Sequence, residues 1–238
     1  IRQMAEDMLA LGCRDALAGD GGGSASWYDG EHPEDSVSLR ATPNMLAVFG
    51  ELDEDKPAGG DKMIVCIDPG HGGRDPGAVS PDGIKESLVN LKCAKLLERY
   101  LIRAGHTVIL TRRNDVEVDL ATRCAYANEQ QADIFVSIHA NAAVSADANG
   151  YEVFHHPGSV NGEVLAQCIS NAYKIATGLP CRRVASANFQ VLRDTHMPAV
   201  LLEVGFLTNK GDCALLKEPA FLDKCALGIA FGMLAMRA

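Results

Sequence analysis

Four residues that could do chemistry stand where apolar runs give way to loops or a helix. His71 follows the run "VCID" in "IDPGHGGRDPGAV"; His139 ends "DIFVSIHAN"; Glu203 sits near the end of "PAVLLEVGFLTN"; Glu86 opens a helical pattern. A hydrolytic zinc site takes three protein ligands of nitrogen or oxygen type and leaves a fourth position open for water. His71, Glu86 and His139 satisfy that count, which leaves Glu203 free to act as general base on the attacking water. The surrounding Gly70, Gly72, Gly73 and Gly77 let the backbone turn sharply and keep side chains clear of an ion and a bulky substrate. The spacing is only moderately specific, because the ligands are scattered and form no short His-x-x-x-His pair. Each residue also has a plain reading: His71 as a loop histidine, His139 as a hydrogen-bonded strand end, Glu86 as a carboxylate complementing a helix dipole, Glu203 as half of a structural ion pair.

The elements that must position these residues follow from hydrophobic periodicity. Six strand-like runs are expected: "KMIVCID", "HTVILT", "DIFVSIH", "YEVFH", "FQVLR" and "AVLLEVG". Helical patterns lie between them at 87–104, 122–131, 162–177 and 219–236. In the first, Leu88, Leu91, Ala94, Leu97 and Leu101 mark one face and Gly105 a stop. Strands alternating with helices imply an α/β domain, its parallel or mixed sheet covered on both faces. Ligands of such sheets gather beyond the carboxyl ends of the strands, where the two histidines and Glu203 fall.

The chain has 238 residues, a formal net charge of −9 and 47% hydrophobic residues. The acidic balance argues against a nucleic-acid partner and against docking on anionic membranes. No apolar run reaches the roughly 18 residues that span a bilayer; "CALGIAFGMLAM" reads as a buried terminal helix. A monomer is expected. The eight cysteines form no C-x-x-C pair and suit buried free thiols better than disulfides or a cysteine zinc site. The acidic, Pro- and Gly-containing "ELDEDKPAGGD" at 51–61 reads as a linker between a short first segment, 1–50, and a domain at 62–238. No basic-then-apolar leader is visible in the stretch that opens at Ile1, and cytosolic synthesis with release by lysis is an expectation. The "DGGGS" loop at 20–24 lacks the lysine and helix of a phosphate cradle and reads as a turn.

The stretches "IDPGHGGRDPGAVSPDGIKES", "TVILTRRND", "ADIFVSIHANA" and "ANFQVLRDTHMPAVLLEVGFLTN", with the terminal helix, resemble the zinc-dependent N-acetylmuramoyl-L-alanine amidases of the third amidase type. The resemblance implies a single mixed, mostly parallel six-stranded sheet flanked by helices, with Zn2+ held by His71, Glu86 and His139, and Glu203 catalytic. It also implies a peptidoglycan (muropeptide) substrate, cleavage between the lactyl group of N-acetylmuramic acid and L-alanine, and action at the cell wall. Asn141 and the backbone near Gly205 are then placed to orient substrate. One departure stands out: the family commonly has Arg-Gly before "NFQVLR", whereas this chain has Arg182-Arg183. The stretch 150–164 is too short for the long inhibitory helix some members carry. The first fifty residues, through "GCRDALAGDGGGSASWYDG" and "ATPNMLAVFG", resemble the C-terminal end of a phosphodiester glycosidase domain. Two other readings are a non-catalytic peptidoglycan-binding module on the same fold and a zinc hydrolase for another amide.

Overall fold

A computed structural model describes residues 62–236. The expectations for 1–50 and for the linker fall outside these residues. The elements run β1 (Ile64–Pro69), α1 (Glu86–Arg103), β2 (Thr107–Leu110), α2 (Leu120–Glu129), β3 (Ile134–Asn141) and β4 (Tyr151–His155). They continue with α3 (Val160–Thr177), β5 (Cys181–Ser186), α4 (Gln190–Arg193), β6 (Ala199–Phe206), α5 (Lys210–Lys217) and α6 (Pro219–Ala235). The strands form one six-stranded sheet in the order β2-β1-β3-β6-β4-β5. Neighbours are parallel except β4 against β6, so β4 and β5 run opposite to the other four. The mixed, mostly parallel α/β sheet is therefore as expected.

Both faces are covered. On one face β1, β3 and β6 meet α1, α3 and α6 in the larger core, which includes Val65, Ile67, Leu97, Ile138, Leu202 and Ile229. The other holds a smaller cluster built on Phe135, Cys124, Val191 and Leu192. The terminal helix α6 is apolar on nearly every side because it is buried on nearly every side. It lies tightly on α3: a Cβ at Gly232 would stand 2.3 Å from the Cα of Ile169. Among the described residues no helix is long and apolar enough to cross a membrane.

Three local expectations are corrected. The run "FQVLR" is not a strand: Gln190–Arg193 forms the single turn α4, and its consecutive Val191 and Leu192 are both buried, a pattern that period-2 alternation excludes. The sheet's sixth strand is instead "CRRVAS", an edge strand exposed enough to show no apolar alternation. On α1, Leu88 alone of the expected face is exposed, at 39%; Leu91, Ala94, Leu97 and Leu101 are buried together with Val89 and Cys93. The short helix α5 follows Asn209, whose side chain caps it by accepting from Gly211 N–H and Asp212 N–H. Residues 150–164 are occupied by β4 and the first turn of α3.

Of the eight cysteines, seven lie among the described residues and all are free thiols; five of these are buried.

Candidate metal centre

The carboxyl edge of β1, β3 and β6 carries the site. His71 lies just past β1, Glu86 is the first residue of α1, and His139 is near the end of β3. Each of the three offers one ligand atom, and these atoms all lie within 4.8 Å of one another. Glu86 Oε1 is the hub: it stands 2.9 Å from His139 Nδ1 and 3.2 Å from His71 Nε2. It also accepts from Ala140 N–H at 3.1 Å, while Glu86 Oε2 accepts from Ala78 N–H at 2.8 Å. Burial by itself would raise the Glu86 pKa, but the hydrogen bonds from His139 and His71 hold the carboxyl well below its usual range. The hydrogen bond to Glu86 likewise lifts His71 to about 9, against the opposing effect of burial. Nitrogen, oxygen and nitrogen converging from three elements are a donor set that fits zinc.

The backbone around His71 answers why the loop is crowded with glycines. A Cβ at Gly70 would stand 2.2 Å from His139 Cε1, inside the imidazole. One at Gly77, which has φ +66°, would meet Glu86 Oε2 at 2.5 Å and His71 Cδ2 at 2.6 Å. His71 itself adopts φ 61°, a left-handed conformation that few non-glycine residues take. Two buried arginines hold it there. Arg123 donates to His71 O at 2.8 Å and to Pro69 O at 2.7 Å. Arg112 donates to Pro69 O and Gly70 O, both at 2.8 Å. The buried Asp68 balances Arg123 at 2.7 Å and accepts from Thr111 and Ser137.

Reasoning from the sequence left out these supports and one more. Asp75 Oδ2 lies 2.7 Å from His71 Nδ1, leaving Nε2 as the nitrogen that faces Glu86 and His139. A carboxylate behind an imidazole is the arrangement that fixes the orientation of a metal-binding histidine. The signal was present, since Asp75 lies in the quoted "HGGRDPG", but proximity across a loop has no periodicity to reveal it.

Glu203 takes a separate position. On β6 it is the register partner of His139 on β3 and of Glu152 on β4, so the three residues form a row across adjacent strands. Its Oε2 is buried and has no hydrogen-bond partner among the described residues. Burial pushes its pKa up to about 7; His139 opposes the rise, and the Glu86 and Glu152 carboxylates add to it. Asn141 donates its amide to Glu152 Oε2 at 2.9 Å, and its Oδ1 accepts from Ala142 N–H.

The raised Glu203 carboxyl predicts a pH signature in metal-free protein. Because the folded state holds this proton more tightly than the unfolded chain, folding stability falls as pH rises from about 4.5 to about 7 and then levels off. A shift of this size corresponds to up to about 3 kcal/mol. Metal-free Glu203→Gln is therefore expected to resist denaturant better than the parent at pH 8, with the gap closing near pH 4.5. Parallel denaturation curves at both pH values would contradict the assignment.

A mixed six-stranded sheet of this topology, flanked by helices, is the fold of amidase catalytic domains. The structure of the catalytic domain of CwlV, an N-acetylmuramoyl-L-alanine amidase from Bacillus (Paenibacillus) polymyxa var. colistinus, matches with a TM-score of 0.69 and 38% identity over 72% of this chain and 96% of that one. An N-acetylmuramoyl-L-alanine amidase from Clostridium difficile 630 matches with a TM-score of 0.72 and 34% identity over 74% and 97%. The N-acetylmuramoyl-L-alanine amidase family model covers residues 65–235, and the chain belongs to that family. Among curated proteins, the N-acetylmuramoyl-L-alanine amidase LytC of Bacillus subtilis is 38% identical over 170 residues, 71% of this chain and 34% of LytC. The endolysin of Bacillus phage SPP1 is 39% identical over 178 residues, 71% of this chain and 64% of the endolysin. The chain thus spans less than two thirds of these relatives. Residues 1–49 match the phosphodiester glycosidase family, in agreement with the resemblance read from that segment.

Proposed function

We propose that the protein is a zinc-dependent N-acetylmuramoyl-L-alanine amidase that hydrolyses the lactyl–L-alanine amide of peptidoglycan. The observation that carries this reading is the convergence of His71, Glu86 and His139 beside Glu203 in a chain of the amidase family. His71, Glu86 and His139 hold the ion, and Asp75 orients His71. The chemistry zinc supplies when bound is polarisation of the amide carbonyl and acidification of water. Glu203 accepts a proton from the attacking water as oxygen adds to the lactyl carbonyl carbon. It returns that proton to the alanine nitrogen as the carbon–nitrogen bond breaks. A carboxyl whose Oε2 is buried and unpaired among the described residues, in register beside His139, is free to take and return that proton. Incubation of the zinc-loaded protein with purified peptidoglycan is expected to yield free L-alanine amino termini by mass spectrometry. Released acetate or D-alanine would instead indicate a hydrolase for another amide, and intact glycan-linked stems a binding module. Action at the cell wall as a monomer belongs to the same proposal.

The catalytic unit is residues 62–238, with 51–61 as linker. Among the described residues, the sheet and both apolar clusters are assembled from Met63 onward. A chain starting at Asp61 is therefore expected to fold with an unchanged melting temperature and to release the same products. Loss of folding on truncation would move the boundary.

A further inference from the structure

The row of side chains that contains Glu203 continues beyond it. Register partners run His139 (β3), Glu203 (β6), Glu152 (β4) and Arg183 (β5), a straight line across four strands. At its far end the β4–β5 ladder slips: Tyr151 pairs with Cys181 but Glu152 pairs with Arg183, so Arg182 is the extra residue of a bulge. A bulge sets two residues against one, and here it sends two successive arginines to a single carboxylate. Glu152 is buried, and its Oε1 takes Arg182 Nε at 3.1 Å and Arg183 Nε at 2.9 Å.

The two arginines are not equivalent. Arg182 is fixed further, with its guanidinium 5.0 Å above the Phe206 ring and Nη1 reaching Asn149 O. Its charge offsets that of Glu152. Arg183 is the surplus cation: its side chain is 53% exposed, and its terminal nitrogens have no hydrogen-bond partner among the described residues. A guanidinium anchored through Nε and open along its Nη edge offers a bidentate seat for a carboxylate.

Position selects which carboxylate. Neighbouring strands lie about 4.8 Å apart, so the Arg183 guanidinium, ion-paired with Glu152, stands roughly 5–10 Å from Glu203 along the row. Two residues of extended peptide span about 7 Å. We propose that Arg183 is a specificity-determining residue that binds the carboxylate of an acidic residue directly following the released alanine. It thereby selects stem peptides whose second residue carries a free carboxylate over those in which it is a carboxamide. This rests on the amidase reading above and names the substrate form that site prefers.

The test uses the zinc-loaded full chain and two substrates, N-acetylmuramoyl-L-alanyl-D-glutamate and its D-isoglutamine counterpart, each with the γ-carboxyl capped as a methylamide so that only the α-position differs. A charge-assisted hydrogen-bond pair implies a preference in kcat/KM on the order of tenfold or more for the carboxylate form. Arg183→Gln should abolish that preference by slowing the carboxylate substrate alone, and Arg183→Lys should retain part of it. A purely structural role would slow both substrates equally, and that result, or equal rates in the parent protein, overturns the proposal. Calorimetric binding of the free dipeptides L-Ala-D-Glu and L-Ala-D-isoGln, capped at the γ-carboxyl in the same way, supplies a readout that needs no cleavage. If neither substrate is cut, the amidase reading fails, yet tighter binding of the acidic dipeptide that Arg183→Gln removes would still support the clamp. Equal binding of the two dipeptides would overturn it.

Discussion

Glu203→Gln is expected to lower turnover on peptidoglycan by on the order of 10² or more while leaving the zinc content unchanged. The substitution keeps the length and planarity of the side chain and a hydrogen-bonding group, but the amide cannot accept the proton of the attacking water. His71, Glu86 and His139 lie on other elements and already form a three-donor set, so holding the ion does not call on Glu203. In the proposed mechanism, the row that sets Glu203 beside His139 would place the base near the ion without requiring it as a ligand. Metal analysis alongside single-turnover rates separates the alternatives. Zinc lost together with activity would make Glu203 a ligand, and near-normal turnover would make it structural. KM should move little, because the lost interaction is one made in the transition state.

The second large effect falls on the metal itself. His71→Ala or His139→Ala leaves two donors where a catalytic zinc site uses three, so bound zinc should fall from about one per chain to near background. A chelator should abolish activity in the parent protein and added zinc restore it, whereas neither variant should recover at ordinary zinc concentrations. Loss of a partner behind a ligand is milder, typically about 10–100-fold in affinity, so Asp75→Asn should bind zinc measurably more weakly yet remain active once saturated. That graded series distinguishes a built metal site from histidines serving only to pack a loop. Full activity in metal-free protein would refute the zinc assignment.

These effects are readable from the sequence to different depths. His71, Glu86, His139 and Glu203 were legible because each stands where an apolar run or helix pattern begins or ends, and parallel strands bring such ends to one edge. The apolar runs of β1, β3 and β6 were legible because strands buried on both faces show as near-continuous hydrophobic stretches. The edge strand β5 left no such trace, because its residues are mostly exposed. The turn "FQVLR" carried β-prone residues that packing against β3 and α2 drew into a helical turn instead.

Residue types and local order by themselves determined the α/β class and the helices that cover the sheet, and they picked out the four residues proposed for metal-assisted hydrolysis. Tertiary structure alone decided what holds and surrounds them. Arg112 and Arg123 come from distant segments to grip the carbonyls of Pro69, Gly70 and His71, and no local pattern marks a guanidinium that ends buried. The line from His139 through Glu203 and Glu152 to Arg183 exists only because β4 turns antiparallel to β6 and one bulge shifts its register with β5. Strand direction and register are set by which long-range pairs bury the most surface with every backbone group bonded, a property of the whole sheet rather than of any one run.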